Sequence, residues 1–160
     1  MQINMNYGQT GLKLNLPDDW DITVLTEQAM PIVEKPYEEV LHALANPIGC
    51  KPVSSLVLGN NTVCILICDI NRPVPNSIIL PPLIQSLMDA GIEQSDIRIL
   101  VATGLHRPNE GDELKEIIGD QWTYDNILIE NHFARQSDDH VDLGKTTLGT
   151  RVKLDKRFVE

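Results

Sequence analysis

The sequence predicts an α/β fold, on three observations. Short apolar runs of strand length stand at Val63–Cys68, Ile97–Ala102 and 126–130. Helical stretches at 76–90 and 110–118 separate them, each stopped by a glycine, Gly91 and Gly119. The loops between are short. That alternation describes an open sheet with parallel strands and right-handed crossovers. The expected architecture is a three-layer Rossmann-like domain with a mostly parallel central sheet and flanking β-hairpins, one domain over residues 1–160.

The elements follow in order. Ile3 and Met5 alternate with polar neighbours, Gly8 and Gly11 interrupt, and Leu12, Leu14 and Leu16 alternate again, which predicts a hairpin. Pro17-Asp18-Asp19 reads as a turn, and 22–25 as a further short strand. Pro36 opens a helix through Ala45, with Glu38 and Glu39 in the first turn where the helix dipole favours acids. Val63–Cys68 is continuously apolar, as a central parallel strand would be, and Asn76 or Ser77 is expected to cap the next helix. A second hairpin is expected from 142–146 and 150–154, turning near Leu148-Gly149. There is no internal repeat, and the absence of a closing element at Val159-Glu160 hints at a longer parent chain.

Composition narrows the function classes. With 13 basic and 23 acidic side chains the net charge is −10, which disfavours nucleic acid as a partner, since phosphate neutralisation needs clustered Lys and Arg. No apolar run approaches the roughly 18 residues of a membrane span, and the polar start is no signal peptide. A soluble, cytoplasmic protein is expected. Cys64 and Cys68 lie within a strand run without zinc-ribbon spacing and read, with Cys50, as free thiols, the strand pair as buried small hydrophobes. His42, His106, His132 and His140 show no paired spacing, so no self-contained metal site is expected.

Ligands of open α/β sheets bind beyond the carboxyl ends of the strands. That rule selects three loops. The first holds Asp69 and Arg72, the second Thr103, Gly104, His106 and Arg107, the third Asn131, His132 and Arg135. Each loop carries an arginine, whose planar fork suits a carboxylate or phosphate, so a small anionic ligand is indicated. His106, between a glycine and Arg-Pro, suits a general base. Bland alternatives stay open: Asp69 and Arg72 could pair across a turn, His106 could bond loop backbone, His132 reads as structural, His140 as a solvated loop residue, and His42 as packing or capping its helix.

Cys68-Asp69-Ile70-Asn71-Arg72-Pro73-Val74-Pro75-Asn76 resembles the D-x-x-R-P-x-P signature of the nickel-pincer-nucleotide lactate racemase family. Val101-Ala102-Thr103-Gly104-Leu105-His106-Arg107-Pro108 resembles that family's A-T-G-x-H-R segment, and Asn131-His132-Phe133-Ala134 its N-H-D-A segment, with Phe133 where the family has Asp. The resemblance spans about residues 60–155. It implies the N-terminal catalytic domain of a 2-hydroxy-acid racemase or epimerase, working by hydride transfer to a nickel-pincer nucleotide. Arg72 would hold the substrate carboxylate, with Asp69 as the acidic partner in its loop, and His106 would be one acid/base. Thr103 and Gly104 would lie on the cofactor side. The family's second catalytic His, its cofactor-bearing Lys and its nickel-ligand His have no match here. The resemblance therefore implies that the missing C-terminal part of the same enzyme is the partner and that the 160-residue piece alone is inactive. Two alternatives belong to other classes: a non-catalytic anion- or nucleotide-binding α/β module, and a subunit-interaction domain.

Overall fold

The computed structural model describes residues 1–8, 10–57 and 62–159. The chain divides into two compact units, Met1–Ile32 and Val33–Glu160. In the first, β1 (Gln2–Met5) and β2 (Leu12–Asn15) form the expected antiparallel hairpin, in the register Gln2↔Asn15 to Met5↔Leu12. Residues 22–25 do not form the expected strand. Strand preference is realised only against a partner, and this mostly exposed segment pairs with nothing among the described residues.

The second unit begins with α1 (Pro36–Ala45), where Pro36 and the two glutamates stand as expected, and a single turn α2 (Val53–Leu56). Then come β3 (Val63–Cys68), α3 (Asn76–Asp89), β4 (Ile97–Ala102), α4 (Asp112–Ile118), α5 (Gln121–Asn126) and β5 (Leu128–Asn131). The hairpin β6 (His140–Lys145) and β7 (Arg151–Asp155) follows, and α6 (Lys156–Val159) adds one turn. Among the described residues β3, β4 and β5 form a parallel sheet in sequential order, so β3 lies at its edge and β4, not β3, is central. The helix α5 occupies residues between the expected helix that stops at Gly119 and the expected strand from 126, and β5 starts only at Leu128. The Asp120 side chain accepts the Thr123 N–H at 2.8 Å and nucleates this turn.

Sequential parallel strands joined by crossovers of one hand put both connections on one face. The core agrees: Ile97, Ile99 and Val101 of β4 pack with Leu80, Ile84 and Leu87 of α3 and Ile117 and Ile118 of α4. On the opposite face Leu66, Leu100 and Ala102 meet Leu154 and Phe158, so the third layer is the C-terminal hairpin with α6. Cys68 faces this side and is exposed, and Cys64 is only half-buried, so neither is the buried hydrophobe expected. Burial lifts the Cys64 thiol above its ordinary range.

Two contacts fix α3 against α4. Asn76, expected as a cap, instead is helical and buried, and its amide donates to the Ile117 carbonyl at 3.0 Å. Gly119 ends α4 in the left-handed region at φ 66, and a Cβ there would lie 2.8 Å from the Ser77 Cβ. Only glycine fits both the backbone and the approach.

Candidate active site

Because Cys68 pairs with Ala102 and Val101 with Asn131, the three strands end side by side and their loops open at one edge. The first and second loops meet there. His106 Nδ1 is hydrogen-bonded to Asp69 Oδ2 across 37 positions of sequence. A carboxylate only accepts, so Nδ1 carries the proton and Nε2 is left as the free basic nitrogen. The Asp69 side chain is 4% exposed and the His106 side chain 51%: a buried anion beneath an accessible imidazole. The hydrogen bond from His106, and a second from Asn71 at 3.2 Å, hold the Asp69 carboxyl below its usual range against the opposing effect of burial.

Asp69 therefore partners His106 and not Arg72, although the Arg72 N–H donates to the Asp69 carbonyl at 3.0 Å and closes the turn. The Arg72 guanidinium has no ion pair among the described residues and lines a pocket of about 330 Å³ with Asn71, Pro73 and Glu116. His106 lines a neighbouring pocket of about 170 Å³ with Gly104, Leu105, Phe133 and Arg135. The arginines of the three loops are not equivalent. Arg107 is bound through both terminal nitrogens to Glu113, at 2.5 Å each, which pulls the Glu113 carboxyl down to about 2. It is unavailable to an anion.

Thr103 is buried, and its hydroxyl donates to the His132 carbonyl. Gly104 adopts φ 58 with open space where a Cβ would stand. His132 belongs to a second pair that sequence reasoning missed. Its Nδ1 donates to Asp155 Oδ2 at 2.8 Å, and Asp155 in turn accepts from Arg157. Arg157 also donates to Glu130 at 3.0 Å and to the Asn131 carbonyl at 3.1 Å. Arg157 first, then His132, hold Asp155 far below the carboxylate range, and Asp155 and Glu130 raise Arg157. His140 is half-buried, not solvated, and packs edge-on to His132 with ring centres 5.0 Å apart. His42 neither packs nor caps with its ring: it is exposed, and it is its backbone carbonyl that receives Asn46.

Residues 7–160 match the lactate racemase N-terminal domain family. The chain belongs to that family. The lactate racemase of Thermoanaerobacterium thermosaccharolyticum is 32% identical over 165 residues, an alignment covering 99% of this chain and 37% of that enzyme. The lactate racemase of Lactiplantibacillus plantarum is 32% identical over 160 residues, with the same two coverages of 99% and 37%. The chain thus spans little more than a third of the length of these relatives. The solved apoprotein of the Thermoanaerobacterium lactate racemase superposes with a TM-score of 0.79 at 29% identity, over 98% of this chain and 36% of that one. A Thermotoga maritima protein of 18% identity shares the fold, with a TM-score of 0.56 over 79% of this chain and 32% of that one. Membership in the lactate racemase family agrees with the mixed α/β architecture. No described helix is long and apolar enough to cross a membrane.

Proposed function

We propose that this chain is the substrate-side N-terminal portion of a longer two-domain enzyme that racemises or epimerises a small 2-hydroxy acid. The observation that carries the reading is the Asp69–His106 pair, a buried carboxylate under an exposed imidazole at the mouth of three strand-end loops. With Nδ1 fixed on Asp69, His106 presents Nε2 to a substrate hydroxyl and takes its proton, while the hydride leaving the carbinol carbon would need the acceptor that a bound nickel-pincer nucleotide supplies. Asp69 stabilises the imidazolium that results. Returning the proton from the same nitrogen completes half of a redox-neutral exchange. Arg72 sits one turn of loop away, with its guanidinium unpaired, and holds the substrate carboxylate by two parallel bonds.

Inversion needs a second base on the other face of the substrate. His132 is a poor one, because its ring is largely enclosed and its partner Asp155 is already bound by Arg157. That base belongs to the part of the enzyme outside this chain. So does the holder of the nickel-pincer nucleotide. Among the described residues no three His, Cys, Asp or Glu side chains gather to hold a metal, and the Thr103 hydroxyl is already engaged with backbone. The residues here do not fit the metal, and of Thr103 and Gly104 only Gly104 has open space beside its backbone.

The test is racemisation of 2-hydroxy acids by the longer, cofactor-loaded enzyme, followed by chiral chromatography. His106→Ala should lower turnover by ~10²–10⁴-fold, and Arg72→Ala should raise KM and lower kcat together. Full activity in His106→Ala would leave a non-catalytic anion-binding module as the better reading.

A further inference from the structure

The second loop contains an asparagine that the proposed reaction does not use. Asn109 is 1% exposed, and its polar groups reach three segments of chain. Its Oδ1 accepts the Ile70 N–H at 3.4 Å, one residue after Asp69. Its Nδ2 donates to Glu113 at 3.2 Å. Its backbone N–H donates to Asn131 Oδ1 and its carbonyl accepts from Asn131 Nδ2, both at 2.9 Å. The Asn131 amide thus mimics a neighbouring strand, matching one donor and one acceptor at the end of β5. Burying a polar side chain is costly unless it is bonded, so a position where every polar group finds a partner is one whose geometry is specified.

The bond that joins Asp69 to His106 crosses between the first and second loops, and so does the bond from Ile70 to Asn109. Asn109 lies three residues after His106, and Ile70 directly follows Asp69. One bond therefore fixes the height of one loop on the other at the place where the carboxylate must meet the ring. We propose that Asn109, gripped by Asn131, is the positioning residue of the Asp69–His106 pair, keeping the carboxylate beneath Nδ1 so that Nε2 remains the basic nitrogen. The catalytic importance of this lock rests on the racemase reading; the tautomer it selects is a property of the chain alone.

The experiment uses ¹⁵N NMR of the histidine rings in the 160-residue chain, at a pH where the imidazoles are neutral. Wild type should show His106 mainly protonated on Nδ1. Asn109→Ala should lower the ratio of Nδ1–H to Nε2–H tautomer at His106 by about fivefold, the ratio one lost hydrogen bond carries, while His42 stays unchanged. If that variant fails to fold, Asn131→Ser releases the grip with less lost volume and should lower the ratio in the same direction. Asn109→Asp combined with Glu113→Gln keeps the acceptor for Ile70, reverses the bond to position 113, and should restore the ratio. A folded single variant with the wild-type ratio, or a combined variant without recovery, would overturn the inference. If the ratio falls yet the longer enzyme carrying the same substitution retains wild-type turnover, the lock stands and the assignment of His106 as the base fails.

Discussion

Two aspartate–histidine pairs stand at the carboxyl edge of the same sheet, and their surroundings differ. In the first, Asp69 has His106 and Asn71 for partners, and the imidazole is half in solvent. In the second, Asp155 has His132 and Arg157, the arginine reaches on to Glu130, and the imidazole is 18% exposed and packed against His140. The same two side chains make an accessible imidazole in one setting and an internal strut in the other. The arginine makes the difference. Placed on the carboxylate, Arg157 neutralises it and closes the network over backbone of β5, whereas Arg72 turns away from Asp69 and leaves that charge to act on the ring.

The largest effect expected is on turnover. In the longer enzyme His106→Asn should lose ~10²–10⁴-fold in rate with only a small drop in urea midpoint, and His132→Asn should do the reverse, lowering the midpoint more while most turnover survives. Equal rate losses in the two would erase the distinction. Next comes the strut itself. Arg157→Ala leaves buried Asp155 without its main counter-charge and should cost about 3 kcal/mol in chemical denaturation of the 160-residue chain; a change within error would mean the network is solvated. Acid sharpens the comparison further. Both aspartates are held below their unfolded values, so they bind fewer protons folded than unfolded. Their stabilisation is complete above about pH 4 and is lost as pH falls toward the folded values. Urea midpoints measured from about pH 5 to about pH 2, where much of this loss falls, should drop, and Asp155→Asn should flatten the drop more than Asp69→Asn. The smallest effect belongs to Arg107→Ala, which removes an exposed pair with Glu113 and should leave the midpoint unmoved.

Much of this was legible in the residues because β4 is largely buried, and its apolar stretch Ile99-Leu100-Val101 announces such a strand. Local polar chemistry was less legible. The α5 turn depends on one Asp120 cap and an aromatic-rich, strand-like composition, so periodicity pointed elsewhere. Residues 22–25 have strand composition but no partner among the described residues, a condition that lies outside the segment itself. Asp69, Arg72 and His106 stand out as candidates because they occupy strand-end loops. Which of them bond each other depends on a contact between positions 37 apart, and nothing in either loop states it. Asn131 stood in a strand-end loop, but nothing in the sequence joined it to Asn109, since an asparagine after proline is ordinary turn composition. The Asp155–Arg157 strut had one possible cue, an acid and a base two residues apart at the end of a strand run, and it resembles an exposed surface pair until burial is known.

The corner between α3 and α4 bears on how a ligand would be received. Asn76 is tied to Ile117, and Gly119 leaves no room between the helices, so the loop carrying Asp69 and Arg72 runs between two fixed supports, β3 and that corner. A carboxylate binding at Arg72, as the proposed function requires, would meet a loop held at both ends. Association should then proceed without an ordering step, and calorimetry should find a heat-capacity change no larger than the covered apolar area accounts for, with none of the excess that marks folding coupled to binding.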